Sequence, residues 1–165
     1  MSDKLANIEN KETGLQAVLA RPEIQEKFKS ILKDKTQAFT ATMLQVVANN
    51  KTLANSDPQS IIGAAMTAAV LDMPINPNLG FAYIVPYKAK NEKGDYVDVA
   101  SFQMGYKGYV QLAQRSGQFK KIGVCATFTE DTEETVMKRL TSMLPSSNKG
   151  EVSGYVAYFQ LTNGF

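Results

Sequence analysis

The sequence predicts an α+β protein in which N-terminal helices pack on a ββαβ core with an antiparallel sheet and a protruding β-hairpin. Apolar residues recur at helical spacing through residues 15–71, which indicates helices. Two alternating stretches then flank a turn at residues 91–95, and a further helical pattern separates them from a strand at residues 118–128. Because strands joined by a short turn pair antiparallel, this order favours an antiparallel sheet.

Three or four helices are predicted before the first strand. Leu15, Val18 and Leu19 begin the first pattern, and Pro22 suits the first turn of the second helix because proline is tolerated there. The apolar positions of the second and third helices are Ile24, Phe28, Ile31, Leu32, Phe39, Met43, Leu44, Val46 and Val47.

A fourth helix is predicted from Pro58 to Leu71, with Asp57 as its N-cap. The helix is rich in alanine, and such small residues let a neighbouring helix approach closely. Packing inside the domain and packing between protomers both fit this pattern. The positions expected inside are Ile61, Ile62, Ala65, Met66, Ala69 and Val70.

The β-hairpin follows a rigid connector at residues 73–80, which holds two prolines and a glycine. Phe81, Tyr83, Val85 and Tyr87 alternate along one side of the first strand, which indicates β-structure. After the turn, a second strand is predicted over residues 96–104. The arm and tip of the hairpin carry Lys88, Lys90 and Lys93.

A short amphipathic helix is predicted between Gly105 and Gly117, and glycine suits the left-handed position just past a helix end. At about 100° per residue, three polar side chains fall within roughly 80° of Lys107. They are Gln111, Gln114 and Arg115. Tyr109 and Val110 point the other way, and we expect that face to be buried. An ordinary solvated basic face is the alternative interpretation.

The remaining elements are a strand over residues 118–128, a helix from Thr132 through Met143 that Pro145 ends, and a strand over residues 152–161. Residues 1–14 are predicted to be a flexible leader, and residues 15–165 a single domain. Because the last strand is followed at once by a turn-like end, we expect a chain truncated at its C-terminus.

Composition favours a soluble globular protein, with 165 residues of which 44% are hydrophobic and 21% charged. The start is polar, and no apolar run approaches the roughly 20 residues of a membrane span. Cys125 is the single cysteine, so no internal disulfide forms, and a reducing cytoplasm is expected.

The positive charge is concentrated in the middle of the chain. Residues 81–125 hold seven basic and three acidic side chains, whereas residues 126–165 hold three basic and five acidic ones. This distribution predicts a localised anion-binding surface more than a uniformly basic protein.

Several catalytic constellations are absent from the sequence. It holds no histidine and one cysteine, which removes the commonest general base and a zinc site. There is also no phosphate-binding loop for ATP hydrolysis. The acidic run at residues 130–134 fits a solvated helix start better than a magnesium site. We therefore expect no enzyme and no cofactor or metal, while a metal-dependent nuclease stays as an alternative.

Five motifs together resemble the RecT family of phage-type single-strand annealing proteins, which are distantly related to phage Red-beta. They are AAVLDMPIN at residues 68–76, LGFAYIVPY at 79–87, FQMGYKGY at 102–109, QLAQRSGQ at 111–118 and GYVAYFQL at 154–161. The resemblance covers residues 15–128 and 150–165 well, and it is poorest over residues 129–149.

The resemblance implies an ATP-independent recombinase for homologous DNA recombination, encoded by a phage or prophage and acting in the bacterial cytoplasm. Such proteins coat single-stranded DNA as homo-oligomers, in rings or helical filaments, and pair it with a complementary strand to form a nascent duplex. A phage exonuclease partner usually supplies the single strands. Family members also carry a further C-terminal region.

The residues themselves favour the same class of ligand, because cations hold phosphates and aromatic rings stack on unpaired bases. The candidate DNA-binding residues are Lys107, Arg115, Gln111, Gln114, Lys88, Lys90, Lys93, Lys120, Lys121, Tyr106, Tyr83 and Tyr87. Burial in the core is the alternative for each tyrosine, and it is the expected state of Tyr109. An oligomeric packing protein with an incidental basic patch is the alternative function.

Overall fold

A computed structural model describes residues 14–142 and 150–164, and it confirms the α+β class. The chain divides after Tyr109 into two compact units, each described here by itself. Helices and one β-hairpin form the first unit, and a second pair of strands with a helix forms the second. That residues 15–165 act as one domain stays a prediction.

The helices of the first unit follow the apolar periodicity of the sequence. They are α1 at residues 14–19, α2 at Pro22–Leu32, α3 at Thr36–Ala48, α4 at Lys51–Ala54 and α5 at Pro58–Val70. Asp57 is the N-cap of α5, as predicted: its carboxylate accepts a hydrogen bond from the Ser60 N–H at 2.9 Å. Asn50 caps α4 in the same way, with Oδ1 accepting from the N–H groups of Thr52 and Leu53.

The hydrophobic core of the first unit lies between the helices and the hairpin. Phe28, Met43, Leu53 and Ile61 are among the largest fully buried side chains of this core. Most of the predicted apolar stripe of α2 is buried or half-buried, but Ile31 lies at the surface. The remaining buried members of the core are Leu15, Leu19, Leu32, Val47, Ile62, Ala64, Ala65, Ala68, Ala69, Ile75, Ile84 and Ala100.

The buried alanines of α5 pack inside the first unit. Ala65 and Ala68 have no exposed surface, and α5 lies against the hairpin. The Ser60 hydroxyl accepts a hydrogen bond from the Ala100 N–H at 2.8 Å, which joins helix and strand. Val70 was expected inside but is 63% exposed; it is the last residue of α5.

The hairpin pairs β1, Ala82–Lys90, with β2, Tyr96–Met104, in antiparallel register. Tyr83 lies opposite Gln103, and Lys88 lies opposite Asp98. At the turn, Asn91 Oδ1 accepts hydrogen bonds from two backbone N–H groups, which fixes the tip. The predicted hairpin is therefore confirmed, and its outer half is exposed on both faces.

Helix α6, Tyr106–Arg115, begins in the first unit and continues in the second. The second unit then contains β3, Phe119–Phe128, α7, Glu133–Ser142, and β4, Val152–Leu161. Strands β3 and β4 pair antiparallel with each other, so the described residues form two separate two-stranded sheets. The predicted antiparallel pairing is confirmed, but the strands form two sheets rather than one, because each strand pairs inside its own unit.

An ion pair joins α7 to the end of β3 in the second unit. Arg139 on α7 donates hydrogen bonds to both carboxylate oxygens of Asp131, at 2.8 and 2.7 Å, and a third to the Ala126 carbonyl. Its guanidinium lies 5.2 Å from the centre of the Phe128 ring. Asp131 also accepts from the Phe128 N–H, so this pair fastens α7 to the end of β3.

Some predictions fall outside the described residues. These are the leader, apart from Gly14 in α1, and the end of the helix at Met143 and Pro145. Among the helices that the structure describes, none combines the length and apolar character needed to cross a membrane.

Asp131 gives the second unit a pH-dependent stability. Hydrogen bonding from Arg139 lowers the pKa of its carboxyl from 3.8 to about 2. The folded state thus favours the carboxylate, and this stabilisation is complete above the unfolded pKa and lost as pH falls from about 4 through 2. We expect Asp131→Asn to be less stable at neutral pH and to lose less further stability over that interval, in urea titrations followed by the amide signals of β3 and β4.

Glu134→Gln is the matched control, because Glu134 pairs with Lys138 on the solvent-exposed side of the same helix. It should retain the acid sensitivity of the wild-type chain. Equal loss of stability between pH 4 and 2 in the wild type and Asp131→Asn would contradict the assignment.

Candidate nucleic-acid interface

Helix α6 starts in direct backbone contact with the connector that precedes β1. The Gly105 N–H donates a hydrogen bond to the Phe81 carbonyl at 2.9 Å, and the Gly105 carbonyl accepts from the Gly108 N–H. A Cβ atom at Gly105 would overlap the Gly80 carbonyl oxygen, and one at Gly108 would overlap that of Phe81. Both positions therefore require glycine, and the Gly-x-x-Gly spacing sets the path of the helix.

This contact brings a predicted cation and a predicted aromatic residue together. Gly80 has a φ of +75°, and a Cβ there would lie 3.4 Å from the Tyr83 hydroxyl and 3.5 Å from Cδ of Lys107. The Tyr83 ring also packs against Gly105. Lys107 is exposed while Tyr83 is half-buried, so a charged group and an aromatic edge border the same glycine.

The exposed side of α6 differs from the expectation. Tyr106 is 73% exposed and Tyr109 is 63% exposed, and Val110 also lies at the surface, so the prediction that Tyr109 and Val110 are buried was wrong. The helix packs through Gly108, which is buried because backbone meets backbone there. Hydrophobic periodicity cannot detect a contact made by a residue without a side chain, and Tyr109 thereby joins Tyr106 as a candidate stacking surface.

The hairpin presents Tyr83 and Tyr87 on one face of β1 and Lys88 and Lys90 on the other. Tyr87 is 51% exposed and shares a face with Tyr83, whereas Lys88 and Lys90 point the other way because strand residues alternate. Lys90 Nζ lies 5.4 Å from the centre of the Tyr96 ring. Lys93 is exposed at the turn. The arm can therefore meet phosphates on one face and an aromatic contact on the other.

The remaining candidates belong to the second unit. Gln114 and Arg115 are exposed near the end of α6, and Gly117, with a φ of +66°, follows that helix as predicted. Gln111 is half-buried, and within the described residues its Oε1 has no hydrogen-bond partner. It is thus less available to a ligand than the sequence indicated. Lys120 and Lys121 are exposed at the start of β3.

Six of the candidate lysines keep their charge available. Within residues 14–142 and 150–164, the structure pairs none of them with a carboxylate. They are Lys88, Lys90, Lys93, Lys107, Lys120 and Lys121. By contrast, the Lys35 ammonium lies 2.8 Å from the Asp72 carboxylate, and Arg139 forms an ion pair with Asp131. Uncompensated cations of this kind attract a polyanion.

The acidic run is engaged by cations of its own unit. Asp131 is held by Arg139, and Glu134 lies 2.7 Å from Lys138. In the part of the chain that the structure describes, no three acidic or cysteine side chains are grouped as metal ligands would be. These contacts support the interpretation of the run as a helix start.

Sequence reasoning also missed exposed aromatic residues in the second unit. Tyr155 is 77% exposed and Phe159 is 59% exposed, both on β4. Phe159 makes an edge-to-face contact with Phe119, at 5.9 Å between ring centres. Alternation along β4 placed these residues on a strand, but it could not show which face stays open.

Comparisons with known proteins agree with the resemblance. The sequence model of the RecT family matches residues 37–165. The protein YqaK of Bacillus subtilis strain 168 is 37% identical over 153 residues, which are 92% of this chain and 51% of that protein. Protein RecT of Escherichia coli K12 is 36% identical over 70 residues, 42% of this chain and 26% of that protein. The chain spans about half the length of its Bacillus relative.

The contact between α6 and the connector predicts the effect of a single methyl group. We expect Gly108→Ala to destabilise the chain by about 1–3 kcal/mol, since the added carbon must displace the Phe81 carbonyl. Urea unfolding measures the change in the free energy of unfolding.

Gly63→Ala on α5 is the matched control, because a Cβ there meets no atom within 4 Å. It should stabilise the chain by about 0.5–1 kcal/mol, as alanine does in an open helical position. Equal effects of the two substitutions would rule out the close approach at Gly108.

Proposed function

The chain belongs to the RecT family, and from this premise we propose that it is an ATP-independent single-strand DNA annealing protein. It binds single-stranded DNA, pairs it with a complementary strand and holds the nascent duplex. The Bacillus relative is longer than this chain, which covers 51% of it. These activities are therefore proposed for a full-length protein that contains this chain.

The observation that carries the proposal is the set of uncompensated lysines on the hairpin and at the start of α6. Lys88, Lys90, Lys93 and Lys107 are exposed in the first unit, and none of them is neutralised by a carboxylate of the described chain. Nucleic-acid backbones carry one charge per nucleotide, and their affinity for such a surface arises largely from counterion release. Tyr106 and Tyr109 add exposed rings on which bases can stack.

Annealing needs no chemical step from the protein. Cations reduce the repulsion between two phosphate backbones and raise the local concentration of strands, and base pairing then supplies the free energy. Contacts to phosphate and sugar leave most base edges accessible, so sequence preference should be small. Nucleotide hydrolysis has no role in this mechanism.

Family membership also supports proposals about assembly and context. We expect the chain to act as a homo-oligomer, in a ring or helical filament, and to receive single strands from a phage exonuclease in a bacterial host. Ala65 and Ala68 of α5 are buried in the core of their own unit, so a subunit interface uses other residues.

A fluorescence assay with complementary oligonucleotides tests the function. One strand carries a dye and the other a quencher, and both are mixed with the protein without nucleotide or divalent metal. Faster quenching than for free strands supports annealing. Absence of DNA affinity would favour the packing-protein alternative, and cleavage that appears only with magnesium would favour a nuclease.

Lys107→Ala and Arg115→Ala test whether these cations contact phosphates. Each should weaken binding similarly for unrelated single-strand sequences, and each should reduce the slope of log affinity against log salt by about 0.7 to 0.9 per lost phosphate contact. Fluorescence anisotropy over a salt series measures both quantities.

Lys27→Ala is the control for a general charge effect, because Lys27 is exposed on α2 and lies outside residues 81–125, which hold the surplus of basic residues. Its salt slope should equal that of the wild type. Unchanged slopes for both Lys107→Ala and Arg115→Ala would show that neither side chain touches the DNA backbone.

A further inference from the structure

A groove of about 410 Å³ lies in the first unit between α3 and β1. The last two turns of α3 form one wall, the connector after α5 forms another, and β1 forms the floor. The polar side chains that line it are Thr42, Gln45, Asn49, Asn50, Asn76, Asn78 and Tyr83.

The groove is neutral but rich in hydrogen-bonding groups. The described residues that line it include five amide side chains and no charged one. Two of the amides are fixed by the fold, since Asn50 Oδ1 caps α4 and Asn76 Oδ1 accepts from the Asn78 N–H at 3.0 Å. Each of these retains an NH₂ group as a donor. An amide offers both donors and acceptors, which neither a lysine nor a carboxylate does.

The other lining groups are apolar and suit a flat ligand. Val46, Ile75, Ile84 and Pro86 contribute to the walls and floor. An apolar groove with a few polar groups of both kinds is the usual form of a site for a small heterocycle. Charged ligands fit poorly, because the groove supplies no opposite charge to compensate their desolvation.

Tyr83 connects the groove to the cationic corner at Gly80. The same side chain lines the groove, and its hydroxyl borders Gly80 together with the stem of Lys107. A polynucleotide whose phosphate lies at Lys107 therefore runs directly past the groove. Along such a strand an anionic phosphate is followed by a neutral base. The protein offers Lys107 to the phosphate and the amide side chains of the groove to the base.

We propose that this groove binds one unpaired nucleobase of a single strand whose phosphate is held by Lys107. The inference rests on the proposed function and adds a site for a base to it. Gln45 and Asn49 are exposed amides on α3, and they read the hydrogen-bonding edge of that base. Holding one base in this way leaves its neighbours free to pair.

An added peptide strand is the other occupant that a groove beside a strand edge can take. The hydrogen bond from the Gly105 N–H to the Phe81 carbonyl shows which residues of β1 bond to β2. The backbone groups of residues 82, 84 and 86 therefore point away from β2, toward the open edge of the strand. Pro86 has no N–H, and it interrupts the row of donors that a peptide would need. The backbone therefore favours a base over a peptide.

Binding to an oligothymidylate and to an abasic strand of equal length tests the site, because the two strands carry the same phosphates. The double variant Gln45→Ala with Asn49→Ala should bind oligothymidylate about fivefold more weakly, with unchanged affinity for the abasic strand. Lys107→Ala should weaken both. Gln37→Ala, an exposed amide on the same helix outside the groove, should weaken neither.

The outcomes separate this site from the proposed function. If the wild type binds neither strand, annealing itself is refuted; if it binds both equally, DNA binding stands and the base site is refuted. Unchanged affinity of the double variant for oligothymidylate, as a peptide-binding groove would give, also overturns the proposal. A thermal melt of each variant shows that it is folded.

Discussion

One backbone contact determines the position of the candidate interface. Gly105 and Gly108 press the first turn of α6 onto the carbonyl groups of Gly80 and Phe81, at a distance that no side chain permits. This contact closes the base of the hairpin and directs Lys107 toward Tyr83. Because the contact is made by backbone atoms, its geometry is rigid, and the side chains that surround it are left free to contact a ligand.

The basic residues in the middle of the chain are distinguished by their surplus over acidic ones. Arg139 is paired with Asp131 inside the second unit, and Lys35 with Asp72 at the surface of the first. The lysines of residues 81–125 are exposed and have no carboxylate partner among the described residues. A fold gains little from such a concentration of like charge, which costs self-repulsion. The single-stranded DNA that we propose as ligand accounts for this concentration of charge.

Local signals in the sequence predicted most of the elements. Asp57 before Pro58 fixed the start of α5, and alternation with a turn at residues 91–95 predicted the hairpin. Three features depend on contacts between distant residues and were not predictable. Tyr109 is exposed because glycines make the contact, the strands form two sheets because each pairs within its unit, and the amide groove combines α3 with β1. The cationic residues were identified from composition, whereas their surroundings were not.

The central claim is that lysines from the middle of the chain hold the DNA backbone. Chemical modification of lysines, with and without single-stranded DNA and read by mass spectrometry, tests it most directly. DNA should protect Lys88, Lys90, Lys93, Lys107, Lys120 and Lys121 from modification. Three other exposed lysines, Lys27 and Lys29 on α2 and Lys33 just after it, should react as they do without DNA. Protection of the second group, or unchanged reactivity of the first in a DNA-saturated sample, would contradict the account.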